Sequence, residues 1–575
     1  MNKLRRVISN TVISLMGQAV TWLSTLFLTI AYGRFLGDVK FGELYFALAF
    51  VTLFGFPLEF GFNQQLTRDV AQEPDKALHY LSNILLIKGV LWLILFSLIL
   101  SVCWLLGYSP EERTLVGICG FTLLSTSIIN TFASLHYSFE RVVFPVVGTV
   151  LEKGLSALVG TLLLKYGASV EVMSLVLLGG SLTSAIWQAT WFFCLVGIRF
   201  SIDRALIRDL IRTSIPFLIY GVLGVIYYRL DTVLLSLMTN SAVVGWYGAG
   251  YRLFDTLVFL PSLVIGAIMY PIFSKLSVSS EASLKLAIEK SMNFLLLCGI
   301  PIATLLIVAA PNIIGFLYHR TEFSHTFPVL QALAPGLVFL YINSVFSTTI
   351  MSTKREKKIT IMAGIALVFN LALNLVLIPL YQHVGAAIVT SLTELLLLCI
   401  SILFIPRQLL PLGSLKVGSK ALLASLVMSL VLLPLKTFDI IVILPVATLT
   451  YLVAATILGT IPREDLQALY SAIRKKAQRA SSDLLKEQEE AKPINIIHNT
   501  NMDEDTNPII PTGIIWNKLD WTDPALLALR DGLSKTDNLL QTDIDIEDTI
   551  KVRAQLNQTQ HMFQRNASEP LIDNH

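Results

Sequence analysis

Charge is scarce in this chain. Asp, Glu, Lys and Arg make up 14% of 575 residues, and hydrophobic residues make up 54%. A soluble domain carries about 25% charged residues, so that class is excluded and an integral membrane protein is implied. Cysteine is scarce too: Cys103, Cys119, Cys194, Cys298 and Cys399 each lie in an apolar stretch, and no CxxC pair occurs. Zinc or redox centres of that spacing are excluded, and the five read as small packing residues. The basic segment Met1 to Asn10 runs into about 20 apolar residues with no small-residue cleavage site. It therefore reads as a first transmembrane helix rather than a removable signal. No soluble domain interrupts the apolar array, and no phosphate loop, zinc spacing or nucleophile motif occurs after it.

What is abundant is long apolar runs. A spanning helix needs roughly 20 apolar residues. Fourteen stretches qualify, at about 10–32, 43–66, 80–106, 114–135, 144–164, 174–197, 213–238, 243–273, 291–310, 327–350, 360–380, 384–405, 418–435 and 440–460. With the N-terminus inside, about 25 basic residues fall on the inner side, among them Arg204, Arg208 and Lys357. About 6 fall outside, including Arg34, Lys40, Arg113 and Arg320. That asymmetry predicts a cell membrane protein with both termini cytoplasmic.

The end of the chain is a different material. Residues 481–575 hold 17 acidic and 8 basic side chains, and this tail is expected to be largely disordered. A short helix is expected to start at Asp523-Pro524. Before it, residues 461–480 place Leu466, Leu469, Tyr470 and Ile473 on one helical face, with Arg474, Lys475, Lys476 and Arg479 elsewhere. That pattern reads as a basic amphipathic helix on the inner leaflet or as a helical stub.

Weak internal matches suggest duplication. SFER (138–141) aligns with STKR (352–355), LLLKYG (162–167) with LIPLYQ (377–382), and KFGELYFALAF (40–50) with VVGWYGAGYRL (243–253). The first two pairs are about 215 residues apart. The expectation is an all-α protein of two parallel six-helix lobes, 1–212 and 213–410, with two further helices over 411–460. The substrate cleft would lie between the lobes.

Charges inside spans narrow the search, because a mid-helix Arg or Asp costs about 2.5–3.5 kcal/mol even on the lenient scale. Arg229 and Asp231 are two apart and do not face each other. Arg252 and Asp255 share a face of the next span, and the tight MTNSA hairpin brings all four to similar depth. They are expected to pair across the hairpin (Arg229 with Asp255, Asp231 with Arg252) or to line a polar cleft that meets an anionic headgroup. Lys88 either snorkels to the inner surface or serves the cleft. Glu152 and Lys153, neighbours in the fifth span, are expected to serve the cleft or its rim. Glu59 and Glu394 are candidates for coupling a proton or sodium ion. Asn370 and Asn374 are expected to hydrogen-bond between helices.

Several stretches together resemble the polysaccharide transporter family, the Wzx-type flippases of the multidrug/oligosaccharidyl-lipid/polysaccharide superfamily. They are NTVISLMGQAVTWLSTLFLTIAYGRFLGDVKFGELYFALAF (10–50), FGFPLEFGFNQQLTRDVA (54–71), RLDTVLLSLMTNSAVVGWYGAGYRLFDTL (229–257) and FNLALNLVLIPLYQHVGAAIVTSLTELL (369–396). The resemblance covers roughly residues 5–465. Glu59, Gly61, Arg68 and Ala71 occupy the family's acid, Gly, Arg and Ala places. The family glycine after the tyrosine of the eleventh-helix turn is Gln382 here. The resemblance implies export of a polyprenyl-pyrophosphate-linked oligosaccharide by alternating access. It implies no cofactor and no nucleic acid; the partners would be membrane lipids and polysaccharide-assembly proteins. A multidrug or cation exporter and a peptidoglycan lipid precursor flippase are the rivals of the same superfamily. A membrane polysaccharide polymerase would need a large outer catalytic loop. The longest outer loop, about 311–326, offers only His319, Arg320, Glu322 and His325.

Overall fold

The computed structural model describes residues 3–460, which lie within a compact unit of Met1–Arg479. The expected amphipathic helix over 461–480, the tail of 481–575 and its Asp523-Pro524 helix lie outside the described residues.

The described chain is helical from end to end, with no strand among its residues. In order, the helices are α1 (Lys3–Leu53), α2 (Gly55–Glu59), α3 (Phe62–Gln72), α4 (Ala77–Leu105), α5 (Pro110–Ser138), α6 (Val143–Lys165), α7 (Val170–Val196), α8 (Arg204–Met238) and α9 (Ser241–Leu257). They continue as α10 (Phe259–Pro261), α11 (Tyr270–Ser279), α12 (Glu281–Val308), α13 (Ala310–Tyr318), α14 (Phe327–Ser352), α15 (Glu356–Phe404), α16 (Gly413–Leu432) and α17 (Ile440–Ile457). A π-helical stretch, Ser262–Met269, joins α10 to α11 and loosens that span next to Pro261.

Two of these helices each make two crossings. α1 breaks at Gly37, where φ is +80°, and α15 breaks at Gln382, where φ is +49°. Counting each side of the two breaks, with α2 and α3 continuing the second half of α1, α9 to α11 forming one crossing and the nine-residue α13 too short to cross, gives the fourteen spans expected. The large apolar side chains left exposed, such as Leu93, Trp104, Leu105, Leu403 and Ile457, suit a lipid-facing surface. Cys194 and Cys399 are exposed with them, so the packing role expected for all five cysteines holds for buried Cys103 and Cys119 and not for these two.

Local chemistry sets the helix ends. Ser109 accepts from the Glu112 N–H, Glu112 accepts from the Ser109 N–H, and Pro110 fills the first turn of α5. Asn240 caps α9 through the Val243 N–H at 3.1 Å, which turns the hairpin at the expected MTNSA. Asp203 caps α8, accepting from the Ala205 N–H at 2.8 Å and from that of Leu206. These backbone donors hold its carboxyl below the usual carboxylate range. The expected loop at 311–326 is instead helical: α13 and a 3-10 segment, Thr321–Thr326, fill it.

The aligned segments are built alike. After α5 the Glu140 N–H bonds to Tyr137 O and that of Arg141 to His136 O. After α14 the Lys354 N–H bonds to Met351 O and that of Arg355 to Ile350 O. Glu140 and Lys354 both have positive φ, +56° and +58°. Gly167 and Gln382, about 215 residues apart, share that property at +81° and +49°. Packing crosses the expected division: α1 packs against α5, α6 and α7 but most extensively against α9, and also against α8; α14 and α15 pack together with α8 and α9; and α16 packs on α12 with α17 outside it.

Candidate functional site

A cavity of about 430 Å³ lies against both halves of α1. Its wall is largely apolar, from residues such as Leu28, Leu44, Leu48 and Val51. Set into that wall are a few polar groups: Thr25, Thr29 and Tyr45 from α1, Glu59 from α2, Asn130 from α5, Glu152 and Lys153 from α6, Arg229 from α8 and Arg252 from α9. An apolar cavity with few convergent polar groups is the usual form of a ligand site.

Arg229 and Arg252 both reach this cavity. Among the described residues Arg229 has no carboxylate within 4.0 Å; its guanidinium carbon lies 5.8 Å from the ring of its neighbour Tyr228. Arg252 donates from Nε to Thr29 Oγ1 at 3.3 Å and sits 4.0 Å from Asp255 Oδ2. Asp255 also accepts from the Tyr228 hydroxyl at 3.1 Å. Asp255 therefore steadies the arginine side from within, and it does not itself line the cavity.

Three further candidates point elsewhere. Asp231 is 4% exposed and bonded by the Tyr247 hydroxyl and the Thr232 N–H, so the expected pairing with Arg252 is replaced by a buried bond to α9. Its i+2 offset from Arg229 turns it to the opposite side of α8. Glu394 is buried between α14 and α15 and accepts from Asn343 Nδ2 at 2.9 Å. Lys88 does not snorkel and does not line the cavity. It is 1% exposed, and its ammonium meets Glu59 Oε2 at 2.7 Å, Thr131 Oγ1 at 2.8 Å, and Asn63 Oδ1 and Ser127 O at 3.2 Å. The reason is supply: α2, α3 and α5 offer four oxygens within reach, so the charge is solvated by protein.

Lys153 lies on the cavity wall paired with Glu152. Asn374 donates to Asn370, which donates to Thr393 beyond the break in α15. Sequence reasoning missed Thr29, Tyr45 and Asn130. Uncharged polar residues in spans are common, and nothing in the sequence set these three apart.

One end of the site is shut. Gly42 on α1 and Gly245 on α9 meet there, and Trp246 Nε1 donates to Asp38 Oδ2 at 2.9 Å. Arg34 caps the end of α13 by donating to Phe316 O at 2.7 Å and to Leu317 O. Arg320 returns the contact, donating to Arg34 O at 2.8 Å and Phe35 O at 3.3 Å. Lys40 bridges Glu43 and Glu111 at the same end.

Comparison with known proteins gives consistent results. A family model described as polysaccharide biosynthesis protein matches residues 7–277, and one described as lipid II flippase MurJ matches residues 176–458. The membrane protein MJ1068 of Methanocaldococcus jannaschii is 28% identical over 189 residues, 32% of this chain and only 37% of that protein. The probable low-salt glycan biosynthesis flippase Agl15 of Haloferax volcanii is 22% identical over 374 residues, 63% of this chain and 75% of that one. In fold, the chain resembles a lipid II flippase MurJ structure in an inward closed conformation. The TM-score is 0.64 with 18% identity, covering 78% of this chain and 99% of that one. An inward-facing multidrug resistance MATE family transporter gives 0.56 with 14% identity, over 68% and 96%.

Proposed function

We propose that this chain is a multi-pass membrane flippase of the multidrug/oligosaccharidyl-lipid/polysaccharide superfamily, acting on a polyprenyl-pyrophosphate-linked oligosaccharide. The observation that carries this reading is the pair of arginines, Arg229 and Arg252, on the wall of a largely apolar cavity, with Arg229 free of any carboxylate within 4.0 Å among the described residues. A guanidinium fork with unused N–H groups in a low-dielectric site calls for a bidentate anion, and a pyrophosphate supplies paired oxygens. A cationic drug would be repelled by the same wall, which weighs against the exporter reading. A peptidoglycan lipid precursor carries the same pyrophosphate and remains the rival.

In this reading residues 1–212 and 213–410 act as two lobes that rock about the cavity. The Gly37 end is the outer end, as the distribution of basic residues predicts, and the clasp of Arg34 and Arg320 closes it. The headgroup enters from the inner side while the polyprenyl tail stays in lipid; opening of the clasp releases it outside. The movement requires no bond to be made or broken.

The test uses purified full-length protein in liposomes with a fluorescent polyprenyl-pyrophosphate oligosaccharide, scored for leaflet exchange. Arg229→Ala and Arg252→Ala are expected to abolish exchange while the folded protein level is kept. Lys at either position should restore only part of it. If Arg229→Ala instead lowers folded protein, and Arg229→Ala/Asp255→Ala restores both protein and exchange, the arginine is structural and the reading fails.

A further inference from the structure

Glu59 is the only carboxylate of α2, and the structure surrounds it in an unusual way. Its Oε2 accepts from Lys88 at 2.7 Å and from Asn63 Nδ2 at 2.6 Å, and its Oε1 accepts from Asn130 Nδ2 at 3.0 Å. A carboxylate has about four acceptor positions, so one remains, on Oε1. Glu59 is 18% exposed and lines the cavity, whereas Lys88 is 1% exposed and does not. Asn130 also lines that wall, and its amide oxygen accepts no hydrogen bond from the described residues. Beside them are the hydroxyls of Thr52, Thr122 and Thr126. Along α1 and α2, Glu59 is 14 residues beyond Tyr45, which places it roughly 20 Å from the arginine end.

We propose that Glu59 and Asn130 form a subsite for neutral sugar hydroxyls, with Lys88 as a positioning residue that serves as its resident counter-cation. The proposal rests on the flippase reading and adds a second pole to the site. The arginines take the pyrophosphate; the Glu59 end takes the glycan. A sugar hydroxyl donates to the remaining Oε1 position and to the Asn130 oxygen, and threonine hydroxyls serve as donors or acceptors around it. The ammonium of Lys88 sits among four protein oxygens, the arrangement a bound metal cation would need. Because the chain supplies that cation covalently, Glu59 is held in place by its own partners and is not a site for a coupling ion.

The experiment measures binding to the purified full-length protein of two probes: undecaprenyl pyrophosphate, and the same lipid carrying a neutral tetrasaccharide. Wild type is expected to bind the sugar-bearing probe more tightly. Glu59→Gln and Asn130→Ala should weaken that probe roughly tenfold, the loss of one hydrogen bond at a charged site, and leave the bare lipid unchanged. Arg229→Ala should weaken both. Lys88→Met should lower folded yield and lose the sugar preference; Glu59→Gln/Lys88→Met should regain yield without regaining the preference.

An equal effect of Glu59→Gln on both probes, or none on either, overturns the subsite while leaving the flippase reading in place. Wild-type binding of neither probe overturns that reading and the subsite with it. Exchange of sodium for choline should not change wild-type affinity. A sodium dependence that disappears in Glu59→Gln would make Glu59 a coupling site and overturn the resident-cation assignment. So would Lys88→Met with normal yield and an unchanged sugar preference.

Discussion

Gly42 of α1 and Gly245 of α9 touch backbone to backbone, and they do so reciprocally. A Cβ on Gly42 would lie 1.8 Å from the Ser241 carbonyl oxygen, and one on Gly245 would lie 2.1 Å from that of Asp38. Each glycine thus meets the carbonyl four residues before the other. The two occupy matching places in the aligned segments KFG and VVG, so the contact is the one that two copies related by an axis between them would make. Backbone atoms cannot rotate away. Gly42→Ala or Gly245→Ala is therefore expected to hold α1 and α9 apart. In a cysteine-free background carrying Thr29→Cys, an impermeant thiol reagent applied from the Gly37 end should label the cavity several-fold faster in either variant. Unchanged labelling would show that the helices re-close around the added methyl.

The arginine clasp acts on the same end with less force. Arg34→Ala removes two donors from the α13 carbonyls, each worth about 1 kcal/mol net. Because this end is exposed, thermal stability should fall little. The closed-to-open ratio should drop roughly thirtyfold, read by the same Thr29→Cys labelling. Arg320→Ala should act in the same direction, and the double variant should add less than the sum, because the two side chains share one junction.

Asp231 depends on Tyr247. Tyr247→Phe leaves a buried carboxylate with the Thr232 N–H and hydroxyl alone. The expected loss is about 1–3 kcal/mol of stability, measured as a lower melting temperature in detergent. Asp231→Asn in the Tyr247→Phe background should recover part of it. A full loss from Asp231→Asn alone would mean that the charge itself is needed.

Gln382 holds φ +49° and ψ −126° on the surface, a conformation that suits glycine. Gln382→Gly should raise stability by about 1 kcal/mol after the entropy of glycine in the unfolded chain is counted. A lower melting temperature would show that the glutamine side chain compensates for its backbone.

Orientation has its own check. Cysteines placed at 238–242 should be labelled by an impermeant reagent added outside intact cells, and one at Lys357 only after permeabilisation. The reverse pattern would invert the direction of the proposed export.

Much of the fold was legible because lipid imposes a strict code. Fourteen apolar runs gave fourteen crossings, and the turn residues Gly167 and Gln382 were already aligned as a repeat. The helical state of 311–326 was less legible, since a short re-entering helix such as α13 has no spanning length. The site was legible only in part. Arg229, Arg252, Lys153 and Glu59 line the cavity as their cost in lipid required. Lys88, Asp231 and Glu394 had the same cost and the same signal, yet protein oxygens and donors meet it away from the cavity.

The sequence by itself determined that the chain crosses the membrane many times, that its charges must avoid lipid, and that Arg229 and Asp231 cannot satisfy one another. Those conclusions follow from spacing and transfer cost, which are local. Tertiary structure decided which charge found a partner and which was left facing the cavity. That depends on which oxygens neighbouring helices bring within about 3 Å, and no single helix carries that information. Lys88 met four of them and was consumed as structure; Arg229 met no carboxylate and faces the cavity.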